Sequence, residues 1–120
     1  MPIATQRAIV LDAPDPVALA GFYARIIGGE VKDGGDGWVD LEGAVGTRLS
    51  FQAAPGLVPP EWPSEDKSQQ LHLDFTVPDL DTGEREVLAL GATPLDTDAP
   101  GRDFRVYRDP AGHPFCLCVD

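Results

Sequence analysis

His72 and Asp74 stand two residues apart in the stretch Gln70 to Val77, whose alternating apolar and polar side chains read as a β-strand. Alternation puts imidazole and carboxylate on one strand face, where the pair can transfer a proton near neutral pH or the histidine can ligate a metal. The plainer reading of the same His72 is a hydrogen-bonded side chain that lines a pocket. Ser50 and Gln52 likewise share a face within Leu49-Ser50-Phe51-Gln52. Cys116 and Cys118 are the only cysteines and are again two apart, in an apolar closing stretch. Strand neighbours at that spacing lie roughly 6 to 7 Å apart, outside comfortable disulfide reach, so both are expected as reduced thiols. Trp38, Trp62, Arg105 and Tyr107 can frame a ligand by stacking and bidentate contact. The alternative is that Trp38 packs between strands while Arg105 and Tyr107 alternate on an outer face. Trp62 stands in a polar, proline-rich stretch and suits a cover over a pocket or a partner chain. His113 falls in a turn and is expected to support its geometry.

The elements that must position these groups follow from periodicity and punctuation. Thr5 to Asp12 reads as a strand, and Asp15 caps a helix with Pro16 in its first turn, running to about Ile27. Gly28 and Gly29 stop that helix. Glu30 to Lys32, Trp38 to Glu42 and Thr47 to Ala53 read as three strands, the first two joined at Gly34-Gly35-Asp36-Gly37. A polar connector, Ala54 to Gln69, contains Trp62 and the run Glu65-Asp66-Lys67 and reads as a linker or lid. The order then starts again: a strand from Gln70 to Val77, a helix opened by Asp79 and closed by Gly91, and strands near Thr93, over Phe104 to Arg108 and over Pro114 to Val119. A shift of 64 residues superposes Pro14-Asp15 on Pro78-Asp79 and Ala8 on His72, which makes the chain a repeat of two halves, about 1–53 and 70–120.

Composition narrows the function classes. With 120 residues, one domain is the default. A formal net charge of −11 repels phosphate backbones and anionic lipid, so neither nucleic acid nor a membrane is an expected partner. Met1 to Thr5 shows no basic region followed by an apolar run, and no window approaches the ~20 apolar residues of a membrane span. A soluble, cytoplasmic protein is expected. The acidic stretch Asp79, Asp81, Glu84 and Glu86 reads as a solvated helix face.

Two strand-helix-strand-strand-strand halves, each entered through Pro-Asp (Leu11-Asp12-Ala13-Pro14-Asp15 and Val77-Pro78-Asp79), resemble the vicinal oxygen chelate superfamily of glyoxalase I, bleomycin-resistance proteins and extradiol dioxygenases. The closing Asp109-Pro110-Ala111-Gly112-His113-Pro114-Phe115 is similar to that family's Asp-Pro-x-Gly turn, and Gly91-Ala92-Thr93 to its helix exit. The resemblance implies an α+β fold in which two βαβββ modules form a cup of curved mixed sheet with helices outside, and a homodimer. It also implies four matched metal-ligand positions, which here are Ala8, Ser50, His72 and Cys116. Ala8 has no donor atom and Ser50 is a weak one, so His72 is the remaining metal candidate, with Asp74 or Gln52 as possible added donors; a complete catalytic metal site needs three protein ligands.

The expected function is therefore binding of a small molecule in the cup without a cofactor or a complete metal centre. Trp38, Ser50, Gln52, Trp62, Arg105, Tyr107 and Cys116 are the candidate ligand contacts, and His72 with Asp74 the candidate catalytic pair. The alternatives are a divalent-metal lyase or dioxygenase of the glyoxalase I or extradiol type, and bleomycin-type antibiotic binding. A thiolate nucleophile at Cys116, paired with His72, is a further possibility that lacks an oxyanion hole in the sequence.

Overall fold

A computed structural model describes residues 2–64, 66–68 and 70–119. Glu65 and Gln69 of the connector lie outside the described residues, as do the terminal Met1 and Asp120. The chain divides into two compact units, Met1–Leu57 and Val58–Asp120.

The first unit runs β1 (Ile9–Ala13), α1 (Pro16–Ile27), β2 (Glu30–Asp33), β3 (Trp38–Glu42) and β4 (Leu49–Ala53). Its sheet has the order β1-β4-β3-β2, with β1 parallel to β4 and the other pairs antiparallel. Helix α1 starts where an acceptor meets the orphan amides of its first turn: the Asp15 carboxylate accepts from the Ala18 amide at 3.1 Å, with Pro16 next in line. It stops at Gly28, whose φ of 81° is open to glycine at little cost. Leu19, Ala20, Phe22 and Tyr23 of α1 are buried with Val39, Leu41, Leu49 and Phe51 of the sheet, and Tyr23 stacks on Phe51 at 6.0 Å between ring centroids.

The second unit repeats the plan as β5 (Leu73–Thr76), α2 (Leu80–Ala89), β6 (Thr93–Asp96), β7 (Phe104–Arg108) and β8 (Pro114–Cys118). The order β5-β8-β7-β6 again pairs first and last strands in parallel. Asp79 caps α2 by accepting from the Thr82 amide at 2.8 Å. Phe75, Tyr107 and Phe115 form the aromatic core of this unit. The closing turn has a mechanical reason for its sequence. Asp109, only 3 % exposed, accepts from the amides of Ala111 and His113 at 2.9 and 3.0 Å, so His113 serves the turn through its backbone. Gly112 has φ 98°, and a Cβ there would lie 2.5 Å from Pro59.

The repeat extends to strand register. Val10, Ser50 and Asp40 form one cross-strand row in the first sheet, as Asp74, Cys116 and Val106 do in the second. Several strands are shorter than their extended sequence predicts, β4 beginning at Leu49 and β8 ending at Cys118, and the first and fifth are shortened most. The first begins at Ile9 and not at Thr5, because β4 offers parallel partners only from Leu49. The fifth begins at Leu73 and not at Gln70, whose φ of 64° breaks the extended run.

Glycines within the two helices separate a propensity effect from a packing effect. Nothing lies within 4 Å of a Cβ built on Gly21, whereas one on Gly83 meets Leu117 at 3.2 Å and Val77 at 3.3 Å. Gly21→Ala is expected to stabilise the protein by roughly 0.5 to 1 kcal/mol. Gly83→Ala gains less or loses stability, because both neighbours must shift. Chemical denaturation of the two variants beside the parent checks the contrast.

Candidate functional site

Helix α2 covers one face of the second sheet, so alternation sorts its side chains into two sets. Arg105 and Tyr107 belong to the helix side. Arg105 pairs with Asp81 at 2.8 Å and with Glu84 at 3.5 Å, and the fully buried Tyr107 donates its hydroxyl to Glu84 at 3.0 Å. Burial, and then the neighbouring Glu84, push the Tyr107 phenol well above its ordinary range. Neither residue lines the pocket that holds Trp62, His72 and Cys116, so their placement on the helix side follows the outer-face alternative. Tyr107 is opposite Phe115 in the β7–β8 register and shares its core.

The face turned away from α2 carries Asp74, Cys116, Cys118 and Phe104, and beside them lies a cavity of about 380 Å³. His72 enters it from just before β5, and Trp62 closes on His72 edge to face, with ring centroids 5.7 Å apart. Nε2 of His72 lies 3.1 Å from Oδ1 of Asp74, so the pair foreseen from strand alternation is formed. The parallel β5–β8 register puts Cys116 opposite Asp74. Its thiol is pushed up to about 12, by burial first and then by the negative charge of Asp74 and a hydrogen bond to it. A thiol so held is protonated at neutral pH, which disfavours a nucleophilic role. Asp103 and Phe104, which sequence reasoning missed, also line the cavity. Phe104 was findable, since it alternates with Val106 on the face opposite Arg105.

Trp38, Ser50 and Gln52 form a separate group on the first sheet. Ser50, 1 % exposed, donates its hydroxyl to Asp40, and Trp38 Nε1 donates to the same carboxylate oxygen at 3.0 Å. Gln52 is opposite Trp38 in the register. Asp40 is the residue missed here, although its alternation with Trp38 was visible. The Ser50 hydroxyl holds its carboxyl below the ordinary range, against a smaller opposing effect of burial and with help from Trp38, Arg48 and Arg7.

The glyoxalase-like domain family matches residues 8–118. The chain belongs to this family, and with it to the vicinal oxygen chelate superfamily. Among solved structures, a glyoxalase/bleomycin resistance protein/dioxygenase family enzyme from Burkholderia phytofirmans PsJN is similar at 16 % identity, covering 97 % of this chain and 98 % of that one with a TM-score of 0.72. The fosfomycin resistance protein FosX from Listeria monocytogenes is similar at 15 % identity, over 98 % and 94 % of the two chains, with a TM-score of 0.73. The oxidase ChaP-H2 reaches 23 % identity over 98 % and 94 %, with a TM-score of 0.66. These likenesses establish a shared fold. The search of curated proteins found no match. No helix among the described residues is long and apolar enough to cross a membrane.

Members of the glyoxalase-like family are expected from the resemblance to hold a divalent metal, and the donor set can be tested for it. One ligand atom each from His72, Asp74 and Cys116 lie within 4.8 Å of one another, a spacing that a single ion can span. The nitrogen, oxygen and sulfur set suits a borderline ion such as zinc, and it lacks the second histidine of a facial iron triad. If an ion were held here, Asp74 would be the third donor beside His72 and Cys116, since Ala8 has no donor atom.

Two measurements check this description. In the folded protein at pH 8, alkylation of Cys116 followed by mass spectrometry is expected to run far slower than in the unfolded chain, since its raised pKa leaves little thiolate. The lowered Asp40 pKa stabilises the fold above the ordinary aspartate value of about 3.9, and this contribution disappears as the pH falls through the folded value. Asp40→Asn is expected to flatten that part of the acid unfolding curve.

Proposed function

We propose that this glyoxalase-like protein binds a small organic molecule in the pocket of its second module, without needing a metal. The observation that carries the reading is the make-up of that pocket. Trp62, Phe104 and Val119 give it apolar walls, Asp74 and Asp103 give it two carboxylates, and among the described residues no lysine or arginine lines it. That combination favours a ligand with an aromatic or aliphatic body and a cationic or donor-rich end. The His72–Asp74 pair orients the end group, and Trp62 covers the body. A cationic antibiotic of the bleomycin kind falls within this class, and the similar fosfomycin resistance protein is named for a drug. The reading takes the protein as a cytoplasmic homodimer, which light scattering after size exclusion checks.

A second reading rests on the three-donor cluster: His72, Asp74 and Cys116 would hold a divalent ion for lyase or dioxygenase chemistry. A bound ion of this kind supplies Lewis-acid activation of an oxygenated substrate. Elemental analysis after zinc loading and dialysis separates the two readings. Stoichiometric zinc lost in both His72→Ala and Cys116→Ser supports the second.

Isothermal titration against aromatic and aliphatic ammonium compounds, with matched acids and neutral analogues, tests the first. Saturable binding of cations is expected, weakened roughly tenfold by His72→Ala or Asp74→Asn, the scale of one charge-assisted contact. Binding that is absent across the series, or unchanged in both variants, contradicts the reading.

A further inference from the structure

The loop that brings Trp62 onto His72 has a second side. Glu61 and Lys67 close it: the Glu61 amide donates to the Lys67 carbonyl at 2.8 Å, and their side chains form an exposed ion pair at 3.3 Å. Trp62, beside Glu61, lines the pocket already described, whereas Lys67 borders a separate hollow of about 390 Å³. None of the residues lining that hollow belongs to a strand, so it is part of neither sheet's face. It lies between the loop and the closing turn, where Pro59 sits so close to Gly112 that a Cβ there would be 2.5 Å away.

The chemistry of this hollow is the reverse of the pocket under Trp62. Val58, Pro59 and Pro60 give it an apolar wall, and Lys67, Ser68, Gln70 and His113 give it polar groups. Among the described residues no aspartate or glutamate lines it, in a chain of formal net charge −11. Gln70 adds an independent sign. Its φ of 64° makes it the one non-glycine residue with positive φ among those described, and such backbone conformations gather at ligand clamps and switches. Its side-chain amide donates to the Ser68 hydroxyl at 3.3 Å and has a second N–H to offer.

We propose that this hollow binds a small organic anion, whose carboxylate or phosphate takes the Lys67 ammonium and the Gln70 amide while its apolar body lies on Pro59 and Pro60, and that the bound anion acts on Trp62 through the loop. The Lys67–Glu61 pair is solvent-exposed and therefore weak, so an incoming anion can take the ammonium from Glu61. That exchange loosens one of the two bonds closing the loop and repacks Trp62, the residue next to Glu61, against His72. A molecule entering the Trp62 pocket changes the affinity here by the same factor, since coupling between two sites is reciprocal. The inference stands whether or not the Trp62 pocket takes a cation.

Trp38→Phe leaves Trp62 as the sole tryptophan, so its fluorescence reports the loop. Cyclohexanecarboxylate and cyclohexyl phosphate are titrated beside cyclohexylamine and cyclohexanol, and calorimetry on the native protein repeats the ranking without that substitution. Saturable change in Trp62 emission by the acids is expected, with the tighter acid telling carboxylate from phosphate chemistry. Lys67→Gln should weaken binding roughly tenfold, with an unchanged melting temperature confirming that the variant folds. Glu61→Gln, which removes the competitor for Lys67, should tighten it. Gln70→Gly, which suits the positive φ and deletes the amide, should weaken it. No saturation by either acid, cyclohexylamine binding as tightly as the acids, binding indifferent to Lys67→Gln, or saturable calorimetry with an unmoved Trp62 signal overturns the proposal.

Discussion

Parallel pairing of the first and last strands within each module is the constraint from which the polar rows of both sheets follow. Strand β8 is hydrogen-bonded along both edges, to β5 and to β7, and is buried from Pro114 to Leu117. With β8 so held, Cys116 has no freedom to choose its neighbours: the register gives it Asp74 on one side and Val106 on the other. The same arrangement in the first module sets Ser50 between Val10 and Asp40. One backbone plan thus presents two rows of three positions, and the side chains on them decide the chemistry. Asp74 and Cys116 in the second module, with His72 just before β5, make an acidic, donor-rich centre, whereas in the first Asp40 accepts from Ser50 and Trp38.

Elements whose ends carry local hydrogen-bonding devices were legible in the sequence. Asp15 with Pro16 and Asp79 each cap a helix as their side chains suggest, and β3 and β7 occupy the expected spans. Strand ends were less legible, because extended propensity continues past the point where a partner strand stops, as at Thr5 to Ala8. The His72–Asp74 pair was readable from alternation alone. Its meeting with Cys116 was not, since that requires knowing which strand lies beside β5. Arg105 and Tyr107 show the complementary limit: alternation puts them together, but only the packing of α2, with Asp81 and Glu84 waiting for their polar ends, decides which face they take.

The charge of −11 is unevenly distributed, and that changes its meaning. In the pocket of the second module the carboxylates of Asp74 and Asp103 meet aromatic walls, a setting in which a cation replaces some of its lost hydration by Coulombic and cation–π attraction. The Cys116 thiol belongs to the same electrostatics, since the negative charge of Asp74 opposes formation of a second anion beside it. A cation bound there relieves that opposition. This electrostatic setting is what supports the proposed preference for an organic ammonium group.

The central claim, that the second module's pocket is the ligand site, is tested most directly by mapping backbone amide shifts in NMR spectra during titration with benzyltrimethylammonium. The account predicts saturating shifts concentrated at Trp62, His72, Asp74, Phe104 and Cys116. Shifts that never saturate, or that saturate away from these residues, would contradict it.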